Sequence, residues 1–237
     1  MNDIIRKAMD ILKTANFPYA VCGGYGLDLH AGRELRPHGD FDIVIFKEDK
    51  QKVAKFFLDM DWTIYGRFME EDRIITQHIF YKIDDISEDY WKDCVNIWAV
   101  KNSCLPKVLH KLDRLQGAAG DVYTYQTRKW LVEEEIEFIE LEIDGRDCDD
   151  FVVQESPKIT RSMDKAILYR EDIPYLAPEI ILFYKTDKHS WEHPGVKPKT
   201  EADFKEVMPL LSEESRSWLT EAVKAAHGEH EWIKGVL

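Results

Sequence analysis

The chain has 237 residues, 44% of them hydrophobic and 12% aromatic, which is enough to bury a core and too apolar for a disordered segment. A formal net charge of −13 argues against an extended nucleic-acid surface, which needs clustered Lys and Arg. The same charge would steer cationic small molecules towards the protein, though many ordinary cytosolic proteins are equally acidic. Four cysteines (Cys22, Cys94, Cys104 and Cys148) are scattered, with no Cys-x-x-Cys pair and no zinc-spaced His. No apolar run approaches the roughly 18 residues of a membrane span, so a reduced, soluble, cytoplasmic protein is expected.

Taken in order, Ile4, Ile5, Ala8, Met9 and Leu12 fall on one face of a helix over 3–14. Pro18 ends that region, and Tyr19 to Cys22 is a short buried strand. Gly23-Gly24 opens a helix to about Ala31, with Gly32 as its stop. A polar turn covers 33–39, a strand 41–46 and a helix 49–60. Alternation then predicts strands at Trp62–Met69, Ile74–Ile83, Val95–Val100 and Ile136–Ile143. The segment Lys107–Arg128 carries no single period, and Gly117-Ala118-Ala119-Gly120 marks a loop. After a connector at 173–178, helices are expected over 179–187, 200–211 and 213–226. Ser212 caps the last, and Thr200-Glu201-Ala202-Asp203 has the form of a capping box. The expected fold is α+β: a mixed β-sheet domain over 1–172, then a C-terminal helical region over 173–237.

Two features carry chemistry. Glycines at 23 and 24 let backbone N–H groups approach a phosphate, and the helix behind adds its positive dipole end; a tight strand-to-helix turn is the plainer alternative. In Asp40-Phe41-Asp42-Ile43-Val44-Ile45, period two puts Phe41, Ile43 and Ile45 on the core face and both aspartates on the other. Two like charges so close repel, and a divalent cation between them relieves the repulsion. Together the features suggest a site for a metal-chelated nucleotide.

The run from Gly23 through Gly39 to Asp40-Phe41-Asp42 resembles the signature of the nucleotidyltransferase superfamily. It is most similar to the small-molecule branch with the aminoglycoside adenylyltransferases and lincosamide nucleotidyltransferases. Three further segments resemble the same branch in the same order: Ser156–Arg161, Ile173–Lys185 with its Leu176-Ala177-Pro178-Glu179, and Lys197–Phe204. The resemblance is good over 19–46 and 150–211 and poor over 62–130. It implies a polymerase-beta-like core and transfer of a nucleoside monophosphate from a nucleoside triphosphate, ATP in particular, to a hydroxyl, with release of pyrophosphate. It implies Mg²⁺ held by Asp40 and Asp42, a second metal or base activating the acceptor oxygen, and phosphates cradled by Gly23 and Gly24. The implied acceptor is a small, cationic, aminoglycoside-like antibiotic, and the implied property is antibiotic resistance. Membrane and nucleic-acid partners are not expected.

The family's third carboxylate would come from strand Ile136–Ile143, where Glu140 and Glu142 point away from Ile139, Leu141 and Ile143. Glu140 is preferred as general base or metal ligand. Arg33, Arg36 and His38 either contact phosphate or pair with Asp28 or Glu34 to hold the loop. Lys185 either reaches the triphosphate or satisfies a helix end. His189, His193, His227 and His230 read as surface residues, the tryptophans mostly as core, with Trp91 or Trp191 as candidates to line an acceptor pocket. Two alternatives compete: the same chemistry directed at protein or RNA, and a non-catalytic nucleotide-binding protein of this fold.

Overall fold

The computed structural model describes residues 2–71, 76–83, 94, 96–112, 121–125, 136–228 and 230–231. Trp91, Trp130, Trp232 and the Gly117–Gly120 loop lie outside the described residues. Helix α1 spans Asp3–Leu12, where Asn2 caps the first turn by accepting the Ile4 N–H at 2.8 Å and Ile4, Ile5, Ala8 and Leu12 are buried. It is followed by strand β1 (Tyr19–Val21), helix α2 (Gly23–Ala31), strand β2 (Asp42–Phe46) and helix α3 (Lys50–Asp59). The strands β3 (Trp62–Glu71), β4 (Thr76–Lys82), β5 (Asn96–Lys101), β6 (Leu109–Lys111), β7 (Val122–Tyr125) and β8 (Phe138–Asp147) come next. The last strands are β9 (Asp150–Val152), β10 (Thr160–Ser162), β11 (Ile167–Arg170) and β12 (Ile173–Leu176). Short helices at Leu105–Val108 and Met163–Ala166 lie among the strands, and helices at Pro178–Tyr184, Lys188–Glu192, Lys197–Val207 and Glu213–His227 follow them. The α+β class with a mixed sheet is the one the sequence predicts.

The chain divides into two compact units, each assembled from two stretches. The first comprises Met1–Tyr19 with His38–Asp144. Its sheet runs β2-β8-β5-β3-β4-β7-β6, with β2 and β8 parallel and the other pairs antiparallel. On one face Ile43, Leu141, Ile97 and Ile64 are fully buried. On the other, Tyr65, Trp98 and Glu140 fall on successive strands in register, and an aromatic cluster forms. Trp98 stacks on Phe138 at 4.5 Å between centroids and meets Phe80 at 4.6 Å, with Val100, Cys104, Val108 and Leu109 around them. Residues of β2 beyond Asp42 are buried on both faces, so its polar residues are confined to its start.

The second unit comprises Ala20–Pro37 with Gly145–Leu237. Here β12 pairs with β1 in parallel and with β11 antiparallel, and the end of β8 forms a hairpin with β9, which pairs with β10. Arg161 of β10 is buried against Glu179 at 2.7 Å, and the Ser215 hydroxyl donates to the same carboxylate at 3.0 Å. Ser212 caps its helix as expected, accepting the Ser215 N–H at 3.1 Å.

Two local expectations are corrected. The connector at 173–178 is largely strand β12; Pro174 sits second in it, where its missing N–H removes little of a short ladder. Thr200 is not a cap, because the helix starts earlier, at Lys197 with Pro198 in its first turn, and ends at Val207. Asp203 is thereby buried mid-helix and free to serve a distant partner.

Candidate active site

Strand pairing builds the acidic site inside the first unit. Phe41 anchors the start of β2 in the core and accepts the Glu140 N–H at 3.0 Å, setting the register that places Asp42 beside Glu140. Asp40 is exposed, Asp42 half-buried and Glu140 buried, and one carboxylate oxygen from each lies within 4.8 Å of the others. Three carboxylates so close are mutually repulsive, and an oxygen-only donor set of this kind fits a hard divalent cation such as Mg²⁺. Glu142 is one pleat further along, opposite Val44, and does not join the cluster.

Beside the aspartates, Glu140 has two hydrogen-bond donors. Its Oε1 accepts from Arg67 Nη1 at 2.6 Å and from Asn96 Nδ2 at 2.8 Å. The same Asn96 amide donates to Glu142 Oε1 at 2.6 Å. Burial raises the Glu140 carboxyl above its ordinary range; Arg67 draws it back and the Asp40 charge pushes it up again. Glu142, buried and then repelled by Glu140, is pushed up to about 8 and so carries a proton at neutral pH. The two glutamates of one strand face therefore differ in place: Glu140 joins the aspartates and Glu142 does not.

The remaining candidates are distributed between the units. His38 is half-buried in the first unit. Gly23 and Gly24 open α2 in the second, and Gly23 has φ 56°, a conformation glycine adopts at low cost. The acidic partners found for Arg33 and Arg36 lie on the Lys197–Val207 helix. The Asp28 carboxylate instead holds the following turn by accepting the Leu35 N–H at 2.8 Å. Arg33 reaches Glu206 at 2.6 Å, and Arg36 grips Asp203 with two bonds of 2.8 and 2.9 Å. Lys185 Nζ lies 3.1 Å from the same Asp203, so two cations share one buried carboxylate. Burial raises the Asp203 carboxyl, but the Arg36 hydrogen bond and the Lys185 and Arg36 charges outweigh it and hold it below its usual range. Trp191 lies within a short helix, with Lys197 Nζ 4.4 Å from its ring centre.

Sequence reasoning missed Asn96, Arg67 and Asp203 as partners of site residues. A signal existed for Asn96: it alternates with Trp98 and Val100, so a strand face otherwise apolar carries one amide.

Residues 4–103 match the family model described as aminoglycoside-2''-adenylyltransferase. That stretch holds the glycine pair, both aspartates and Asn96, and over it the chain is similar to the small-molecule nucleotidyltransferases. Among solved structures, ANT(2")-Ia in complex with adenylyl-2"-tobramycin is 13% identical with a TM-score of 0.48, over 94% of this chain and 97% of that one. The lincosamide adenylyltransferase LnuA, lincomycin-bound, is 14% identical with a TM-score of 0.47, over 89% and 98%. A nucleotidyltransferase-like protein from Paracoccidioides brasiliensis is 17% identical with a TM-score of 0.34, over 92% and 84%. No curated protein matches the chain. Among the described residues no helix is long and apolar enough to cross a membrane.

Proposed function

We propose that the chain transfers an adenylyl group from ATP to a hydroxyl of a small cationic acceptor of the aminoglycoside type, releasing pyrophosphate. The observation that carries this reading is the convergence of Asp40, Asp42 and Glu140. The acceptor class is supported by the family description matched over 4–103 and agrees with a net charge of −13.

Asp40, Asp42 and Glu140 are the ligands of Mg²⁺ in this reading. The bound cation would neutralise the triphosphate and stabilise charge on departing pyrophosphate. The acceptor oxygen attacks the α-phosphorus in line with the leaving group, and the protein contributes mainly position and electrostatics. Gly23 and Gly24 are assigned to phosphate contact through backbone N–H groups, and Arg33, His38 and Lys185 to contacts with the nucleotide. Asp203 ties Lys185 and Arg36 to one carboxylate.

The test is incubation of the full chain with Mg²⁺, each α-labelled nucleoside triphosphate in turn, and a panel of aminoglycosides, lincosamides and neutral polyols. Label is expected on a cationic hydroxylated acceptor, from ATP. Label recovered only on protein or RNA, or triphosphate bound without transfer to any acceptor, contradicts the proposal.

A further inference from the structure

Both N–H donors of the Asn96 amide are spent on carboxylates, while its Oδ1 is buried without a hydrogen-bond partner. Its Nδ2 has two hydrogens, and they go to Glu140 Oε1 at 2.8 Å and Glu142 Oε1 at 2.6 Å. Asn96 is only 3% exposed, on a strand face that is otherwise aromatic and aliphatic, and an amide is costly to bury there unless it is used. The register explains the reach: Asn96 stands opposite Glu142 and Trp98 opposite Glu140, so one side chain on β5 spans both acidic positions of β8. Arg67 follows Gly66, the β3 partner of Ile97, and reaches across β5 to the same Glu140 oxygen at 2.6 Å. Both contacts thus fall on Oε1 and hold that oxygen in place.

We propose that Asn96 is a positioning residue: through its bifurcated amide it orients Glu140 towards Asp40 and Asp42 while tethering Glu142 away, so that three of the four acidic groups, and not a disordered set of four, receive the divalent cation. The inference rests on the cation reading of Asp40, Asp42 and Glu140. Asn96 touches neither nucleotide nor acceptor; it acts through Glu140. Partners that orient a ligand in this way affect metal affinity or activity by about 10- to 100-fold when removed.

The experiment titrates Mn²⁺ into the full chain without nucleotide, followed by electron paramagnetic resonance, for the parent, Asn96→Ala, Asn96→Ser and Asn96→Asp. Thermal melts and separate kcat and KM values accompany each titration. Asn96→Ala is expected to weaken Mn²⁺ binding at least about 10-fold and to lower kcat by a similar factor, with acceptor KM within twofold of the parent. Asn96→Ser keeps one donor and is expected to recover part of both losses. Asn96→Asp keeps the shape but replaces the donor by an acceptor and is expected to lose at least as much as alanine. A folded Asn96→Ala protein with parental Mn²⁺ affinity, even if its melting temperature falls, overturns the positioning role. If alanine does not fold, parental affinity in Asn96→Ser and Asn96→Asp overturns it equally. A parent that binds no Mn²⁺ overturns the cation reading itself and this inference with it, which separates the two failures.

Discussion

Asp42 of β2 and Glu140 of β8 stand opposite each other on adjacent parallel strands, paired in register. Parallel neighbours need a long connection, so the whole β3-to-β7 portion of the first unit is inserted between the two halves of the acidic cluster. Sites built in this way place function and stability in opposition, because the carboxylates repel in the absence of a counter-ion.

Neutralising one of the three groups should therefore separate the two properties. Asp40→Asn is expected to leave the metal-free melting temperature unchanged or raised by about 1–3 °C, while turnover falls at least about 100-fold. Differential scanning fluorimetry in chelator, beside a transfer assay, measures both. A melting temperature clearly below the parent's contradicts the repulsion argument.

The cation should also stabilise the fold by mass action. Mg²⁺ at about 100 times its dissociation constant is expected to add about 2.7 kcal/mol to the stability of the parent, and essentially nothing to Asp42→Asn. Chemical denaturation with and without chelator provides the comparison. An equal gain in both proteins would place the cation elsewhere.

Asp203 gives a pH signature. Its folded carboxyl lies below the unfolded value of roughly 3.9, so its stabilisation is present above that value and lost as pH falls through the depressed folded one. Asp203→Asn leaves Arg36 and Lys185 without their shared carboxylate and is expected to cost about 3 kcal/mol. The deficit should be constant between about pH 5 and 8 and shrink below about pH 4. Urea titrations across that range test it, and a deficit that grows on acidification contradicts the assignment.

Gly26 is fixed by space. A Cβ there would lie 2.7 Å from Ile181 Cδ1 and 3.0 Å from the Val21 carbonyl oxygen. Gly26→Ala is expected to cost about 1–3 kcal/mol despite the better helix propensity of alanine. Gly26→Ala with Ile181→Val should recover part of that loss, and no recovery would leave the backbone carbonyl as the obstacle.

The sequence discloses this fold unevenly, for physical reasons. Strands β3, β4, β5 and β8 of the first unit are legible because their period is two, whereas β6 and β7 fall in Lys107–Arg128, which carries no single period; Phe41, Ile43 and Ile45 are fully buried as expected, but Val44 and Phe46 are buried as well. Strand β12 is hidden because it is short and carries Pro174, which local rules assign to a connector. Asp203 resembles a cap locally, and its partner Arg36 is 167 residues away, beyond the reach of any local pattern. Glu140 and Glu142 are indistinguishable by alternation; only the register of β8 against β2 separates them. Asn96 is likewise invisible as a partner until β5 is placed beside β8.

The most direct measurement of the central claim is acceptor-dependent pyrophosphate release with Mg²⁺ and ATP, run side by side for the parent and Asp42→Ala. The parent should release pyrophosphate only when a suitable hydroxylated acceptor is present. Asp42→Ala should melt at or above the parent's temperature and release none above background. Sustained turnover by a folded Asp42→Ala protein would contradict the claim that this carboxylate cluster performs the transfer.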